Sequence, residues 1–240
     1  MIERGGKMSF IFYNNSSSED LDIIIENIPA IPATNFLYET IEIEGGENLT
    51  KIKGFTDIEI SFNFMYKANE EEYLMKKSRI DNWLLSGKSK ELFYSVDENK
   101  TYKVKQVKIS ETNTSSRIVR RFTATFICTG LKYLTSGLKS KTININGTIL
   151  NNFGTYEAKP LLKIYGNGNI TININNSSFN ANNVSGYVTI DSEIKECYKD
   201  NINFGRNMTG DYPVFFIGQN TISWTENITK IEVTPRWRCY

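Results

Sequence analysis

Ile58, Ile60, Phe62, Phe64 and Tyr66 alternate with mostly polar neighbours. A period of two sets one face of a strand against a core and turns the other to solvent. Shorter runs of the same type occupy Met8–Tyr13, Asp22–Ile25 and Asn35–Ile43, with a polar break at Asn14–Ser18. Phe122, Ala124, Phe126 and Cys128 share a face further on, which assigns Cys128 the place of a small buried hydrophobe. Glu91–Val96 and Lys100–Ile109 are joined by Asp97, Glu98 and Asn99 in hairpin style. In the second of these runs Tyr102 and Val104 keep one phase, and Val107 and Ile109 resume in the other. A slip of one residue predicts a β-bulge, and the polar stretch Ser110–Ser116 a loop or the tip of a long hairpin.

One segment has helical character, from Asn69 to about Ser86. Asn69 can cap the free amides of the first turn, Glu72 follows three residues on, and Glu70–Glu72 suit the positive end of a helix. Tyr73, Ile80 and Leu84 fall on one face, with Trp83, Leu84 and Leu85 supplying apolar contacts and Gly87 suited to left-handed termination. Trp83 on the inner face of such a helix is expected in the core rather than stacking on a ligand.

Ser136, Gly137, Lys139 and Ser140 interrupt the apolar pattern between Thr135 and Lys141, so a boundary is expected there, dividing residues 1–138 from 139–240. Beyond it the chain reads as nearly pure β. Strand-like runs are Ile143 with Ile145, Leu161–Tyr165, Ile170 with Ile172 and Ile174, Tyr187–Ile190, Pro213–Phe216, Thr221–Trp224, and Ile231 with Val233. Turns are expected at Gly166–Asn169, Asn175–Ser178, Gly218–Asn220 and Glu226–Asn227. Many short strands at this spacing predict an antiparallel sandwich. The fold class is therefore mainly β, an α+β first domain followed by an all-β second.

Composition narrows the chemistry. The 240 residues contain no histidine, which removes Ser-His-Asp and Cys-His catalysis. Cys128, Cys197 and Cys239 are odd in number and widely spaced, so neither a zinc knuckle nor a disulfide framework is indicated. Lys plus Arg total 28 against 27 acidic residues, a balance with no long-range field for nucleic acid or an anionic membrane. No secretory core follows Met1–Met8, and no apolar run approaches the ~18 residues of a membrane span. A soluble product made in the cytoplasm is expected.

In the second half, Tyr187–Glu193 ends in Asp191, Ser192 and Glu193; Asn207–Pro213 follows, then Gly218–Trp224, and Ile231–Arg238 closes on Pro235, Arg236, Trp237 and Arg238. Stretches in this order resemble the C-terminal domain of siphophage distal tail proteins. Upstream, Gly154–Pro160 and Ile164–Gly168 resemble the start of that domain. The first half agrees in the order of its strands, helix and hairpin, and departs at Glu44–Lys53, where Gly45 and Gly46 precede a polar insertion. The motif positions carried by the resemblance are Asp191, Ser192, Glu193, Pro213, Trp224, Pro235, Arg236, Trp237 and Arg238.

The resemblance implies a first β-sandwich domain with one helix and a galectin-like second sandwich. It also implies a hexameric ring at the tail tip of a virion or a tailocin. Such a ring joins the tail tube protein to the tail-associated tip protein and anchors receptor-binding proteins at its edge. No catalysis, cofactor or metal is implied, and DNA passes through the channel unread. A ring of this kind uses two different patches per subunit, for which hairpins and edge strands of the first domain are candidates.

Rival chemistry reads weakly. Asp191 with Glu193 and Asp57 with Glu59 have the spacing of paired carboxylates, but such pairs are ordinary on surface strands. Gly166-Asn167-Gly168 has no following helix to bind phosphate. Trp237 is expected inward, with Arg236 and Arg238 paired to acids on a final strand. The alternative to a tail hub is a carbohydrate-binding sandwich that attaches a particle to a host surface, for which the 12% aromatic content is the sequence hint.

Overall fold

The computed structural model describes residues 9–87 and 90–240; Met8, at the start of the first expected strand, and the rest of the Met1–Met8 stretch lie outside them. Contacts divide the chain into two compact units, the first running to Lys132 and the second covering Tyr133–Cys239. The division falls a few residues before the Thr135–Lys141 break, because Tyr133 and Leu134 already bond within the second unit.

The strands of the first unit are β1 (Ile11–Tyr13), β2 (Ser16–Ser17), β3 (Ile23–Ile25), β4 (Phe36–Ile41), β5 (Leu49–Phe55), β6 (Ile58–Lys67), β7 (Glu91–Tyr94), β8 (Lys100–Ile109), β9 (Asn113–Thr114) and β10 (Val119–Cys128). Helix α1 (Tyr73–Leu85) lies between β6 and β7. The sheet runs β2-β1-β7-β8-β10-β6-β3, with every pairing along this path antiparallel. Alternation on β6 and β10 buries Ile58 through Tyr66 and Phe122 through Cys128 on one face, as expected. Tyr13 on β1 meets Phe126 on β10 edge-on at 5.3 Å, although those strands stand three steps apart in the sheet. Phe62 on β6 likewise reaches Tyr94 on β7 at 5.2 Å. The sheet therefore curls over its own aromatic core, and each buried ring contributes roughly 1.5–3 kcal/mol of transfer free energy.

The bulge lies where the phase slips. Ile127 pairs with Gln106 and Cys128 with Val104, leaving Lys105 as the extra residue. β8 and β10 form a long hairpin whose tip carries β9. The helix is shorter than the 69–86 expected. The Asn69 side chain accepts the Glu72 N–H at 2.8 Å, but Glu70–Glu72 stay in a turn and the helix starts at Tyr73. Ile80, Trp83 and Leu84 are buried, whereas Leu85 is 60% exposed and makes no core contribution. Trp83 is a core residue whose indole donates to the Tyr13 carbonyl at 2.7 Å, and Gly87 has φ +63°.

β4 and β5 make a separate two-stranded hairpin. The Glu44–Lys53 segment, read as a polar insertion, is thus in part a strand. Its burial never alternates, since both faces of the hairpin meet solvent.

The second unit contains the end of β11 (Lys132–Leu134), then β12 (Lys141–Ile143), β13 (Thr148–Asn152), β14 (Leu161–Ile174), β15 (Ser177–Asp191), β16 (Glu196–Lys199), β17 (Ile202–Asn203), β18 (Met208–Gly210), β19 (Gly218–Trp224), β20 (Ile228–Thr234) and β21 (Arg238–Cys239). The main path is β12-β20-β14-β15-β16-β17; β19 joins β14 to β13, and β18 adds to β15. β14 pairs with β20 through Leu161–Gly166 and with β19 through Ile172–Ile174. One strand thus serves two layers, the way sandwich corners are made. Its corner is the segment expected to be a turn, Gly166–Asn169. A bulge with Gly168 at φ +78° bends the chain without reversing it. A Cβ on Gly166 would lie 2.5 Å from the Asn227 carbonyl oxygen, so only glycine allows that crossing.

Other expectations fare unevenly. Asn175 and Asn176 form the two-residue turn of the β14–β15 hairpin, Asn175 at φ +54°, and Glu226–Asn227 is a turn. Gly218–Asn220 opens β19 rather than forming a turn. Pro213–Phe216 makes only a bridge, Phe215 to Ala158, since proline has no N–H to donate. Ile145 lies in a bend and is 75% exposed.

Candidate functional site

The motif positions converge in part. Asp191 ends β15 and Glu193 sits in the turn after it, while Pro235–Trp237 leave β20 and lead into β21. The strand does not continue through Arg236, whose φ is +57°; its N–H donates to the Gly137 carbonyl at 2.7 Å. This backbone turn aims the guanidinium at Asp191, to which Nη1 and Nη2 donate at 2.6 and 2.9 Å, with Glu193 Oε2 at 3.4 Å from Nη1. The Tyr133 hydroxyl donates to Glu193 Oε1 at 2.8 Å, and Asp191 accepts the Glu193 N–H at 3.0 Å.

Burial pulls the Asp191 carboxyl upward, but Arg236 and the Glu193 and Ile194 amides outweigh it and hold its pKa below the ordinary carboxylate value. Burial followed by the adjacent Glu193 carboxylate raises the Tyr133 phenol far above its ordinary value. A general acid requires a raised carboxyl, so the lowered Asp191 is set as an anion for an arginine clasp that Glu193 joins by position.

Trp237 is 2% exposed, packed on Phe215 at 5.4 Å between ring centroids. A Cβ at Gly137 would lie 2.5 Å from the Trp237 backbone nitrogen, so the glycine admits the tryptophan. Arg238 donates through Nε to the Glu157 carbonyl at 2.7 Å and stacks over Tyr156 at 5.1 Å. Its Nη2 stands 3.7 Å from the Glu157 carboxylate, close enough for charge attraction but too long for a hydrogen bond. Ser192 is buried and its N–H donates to Pro160 at 3.1 Å. Pro213 and Trp224 take no part in the clasp: Pro213 is buried ahead of Phe215, and Trp224 ends β19, its backbone bonded twice to the Asn146 side chain.

Tyr133 was not expected at this site, and Gly137 was read only as part of the boundary. They lie 60 and 100 residues from Glu193 and Trp237, and no local spacing signals such pairs.

The remaining candidates are engaged elsewhere. Asp57 pairs with Lys105 at 2.5 Å. Burial pushes the thiols of Cys128 and Cys197 up to about 12 and about 11, which keeps them protonated at neutral pH. Among the described residues no group of three or more carboxylates or thiols is placed to hold a metal. Tyr165 and Tyr187 pair across β14 and β15 at 5.8 Å; Lys230 lies over the first ring at 4.1 Å and Lys163 over the second at 4.3 Å. Each ring thus already carries an ammonium on its face, not the open surface on which a sugar stacks.

The first unit offers a different feature. On the β4–β5 hairpin, Tyr38 and Ile52 share one face and Ile41 and Leu49 the other, at 57%, 52%, 46% and 57% exposure. An isolated two-stranded hairpin is marginal in water, so an arm apolar on both sides calls for a cover.

No family model and no curated protein matches this sequence. Among solved structures, the chain is similar to the crystal structure of the SPP1 Dit protein (gp 19.1), described as a paradigm of the hub adsorption apparatus in phages infecting Gram-positive bacteria. The TM-score is 0.63 at 11% identity, over 95% of this chain and 98% of that one. The chain therefore has the mainly β fold of that Dit protein.

Proposed function

We propose that this protein is a structural subunit of a phage-type tail tip, forming a six-fold ring that joins the tail tube to the tip and anchors tip or receptor-binding proteins. The observation that carries this reading is a fold shared along nearly the whole of both chains with a hub adsorption protein. It is joined by sequence stretches in the order of the distal tail family. In this reading the protein works by assembly and not by catalysis, and its place is the virion tail.

The β4–β5 arm supports a ring physically. A closed ring needs one patch that fits a different patch on the next subunit, and a protruding arm with apolar faces is such a patch. The carbohydrate-binding alternative draws less support, because the half-buried pair Tyr165 and Tyr187 is covered by lysines.

Light scattering and negative-stain images of the purified chain test the reading. Rings of about six subunits are expected. A monomer that binds glycans overturns it.

A further inference from the structure

Phe153, Phe216 and Ile217 are 77%, 58% and 61% exposed. They come from two segments that β13 and β19 bring together: the last pair in that ladder is Asn152 with Gly218, so Phe153 and Ile217 stand one step beyond it, side by side. Ile149, two turns of the pleat back along β13, adds a further 53%-exposed side chain on the face of Phe153. β19 is the one partner of β13 among the described residues.

These side chains are held out by buried hydrogen bonds. Asn152, 3% exposed, donates to the Tyr156 carbonyl at 3.1 Å and accepts the Gly154 N–H at 2.9 Å. Asn220, fully buried, donates to the carbonyls of Phe216 and Gly218 at 2.9 and 3.0 Å. It also accepts from the Phe216 N–H at 2.8 Å and from Asn175 at 2.9 Å. The Thr155 N–H ties the chain after Phe153 to the Arg238 carbonyl at 3.0 Å. Both loops are pinned immediately beside the exposed rings, so little ordering is left to be lost when the rings are covered.

Both segments are themselves free of charge. Residues 142–156 and 212–225 contain no Asp, Glu, Lys or Arg, in a chain that is 23% charged. Depletion of charge around rigid aromatic anchors marks the centre of a protein interface, while a membrane surface or a polyanion calls for basic residues. Four clefts, of about 470, 450, 200 and 200 Å³, each carry charged side chains: Glu19, Asp22, Lys67 and Lys76 in the first, Glu70, Glu71 and Arg117 in the second, Arg79 in the third, and Glu26 and Arg121 in the fourth. None of these four offers a second copy an uncharged complement.

We infer that Phe153, Phe216 and Ile217 form a rigid docking knuckle for a different protein, one that offers an uncharged, apolar recess. This goes beyond the ring reading and does not rest on it, since the ring arm belongs to the other unit.

The test pans a displayed random dodecapeptide library against the full chain and depletes it on the Phe153→Asp/Ile217→Asp double variant. Enrichment of uncharged, apolar sequences is expected. The synthesised consensus peptide should bind the parent chain about tenfold or more tighter than the double variant. Phe216→Asp is the second variant should the double one melt early. Asn152→Ala, which keeps all three anchors, should weaken binding about threefold through lost pre-organisation. Charged consensus sequences, equal binding to the variants, or no enrichment that depends on these side chains overturns the proposal. So does a change in oligomeric mass of the double variant, because a second copy is then the occupant. A chain that forms no ring yet binds the peptide leaves the knuckle standing and the hub reading refuted.

Discussion

The two units fill their cores by different means. Among the described residues, nine of the 21 buried core side chains of the first unit are aromatic, against four of the 20 in the second. In the first, rings on strands three steps apart touch, so ring packing holds the curl of the sheet. The second is filled by Ile and Val, and its bends are fixed by glycine at the β14 corner, the buried asparagines Asn152 and Asn220, and the Arg236 clasp. Shape comes from side-chain volume in one unit and from backbone tethering in the other. The exposed surfaces follow the same division: the first unit extends a hairpin arm with two open faces, and the second holds out a pinned knuckle.

Phe62→Ala strikes the first device hardest. Phe62 meets Phe64, Tyr94 and Phe126 at 5.8, 5.2 and 5.7 Å, and its truncation should cost about 3–5 kcal/mol in urea unfolding. Ile172→Val in the second core should cost only about 1 kcal/mol. Equal losses would mean that ring packing does no more for the first core than aliphatic packing does for the second.

Arg236→Ala strikes the second device. It strands Asp191 and Glu193 in a site where the arginine and aspartate side chains are 17% and 9% exposed, at a cost of about 3 kcal/mol confined to the melting of the second unit. Acid sharpens this. The Asp191 pKa is lowered by folding, so its contribution is complete above the unfolded value of about 3.9 and is lost as pH falls through the folded one. The parent should lose stability across that acid window, and the variant should show a flatter dependence there.

The smallest effect on stability is expected at the arm. Tyr38→Asp with Ile52→Asp alters exposed side chains and should shift unfolding by less than about 0.5 kcal/mol, while ring assembly is lost. A large fall in stability would make the arm part of the core and not an assembly device.

Legibility in the sequence divides along the same line. Ile58–Tyr66 and Phe122–Cys128 were readable because a half-buried strand writes its burial as a period of two. The bulge at Lys105 was readable as a lost phase, and the Asn69 cap by its residue type. Leu49–Phe55 left no such trace, since a hairpin exposed on both faces has nothing to alternate. Gly166–Asn169 carries turn residues that serve a corner, and composition does not distinguish a bend from a reversal. The Asp-Ser-Glu turn and the Arg-Trp-Arg ending were visible as motifs, but their union depends on a left-handed Arg236 and a glycine 100 residues upstream of Trp237.

Native mass spectrometry of the purified chain decides whether it assembles. Six copies of the 27.5 kDa chain, a particle of about 165 kDa that reverts to single chains in the Tyr38→Asp/Ile52→Asp variant, is the predicted result. A 27.5 kDa monomer at every concentration, unchanged by those substitutions, would contradict it.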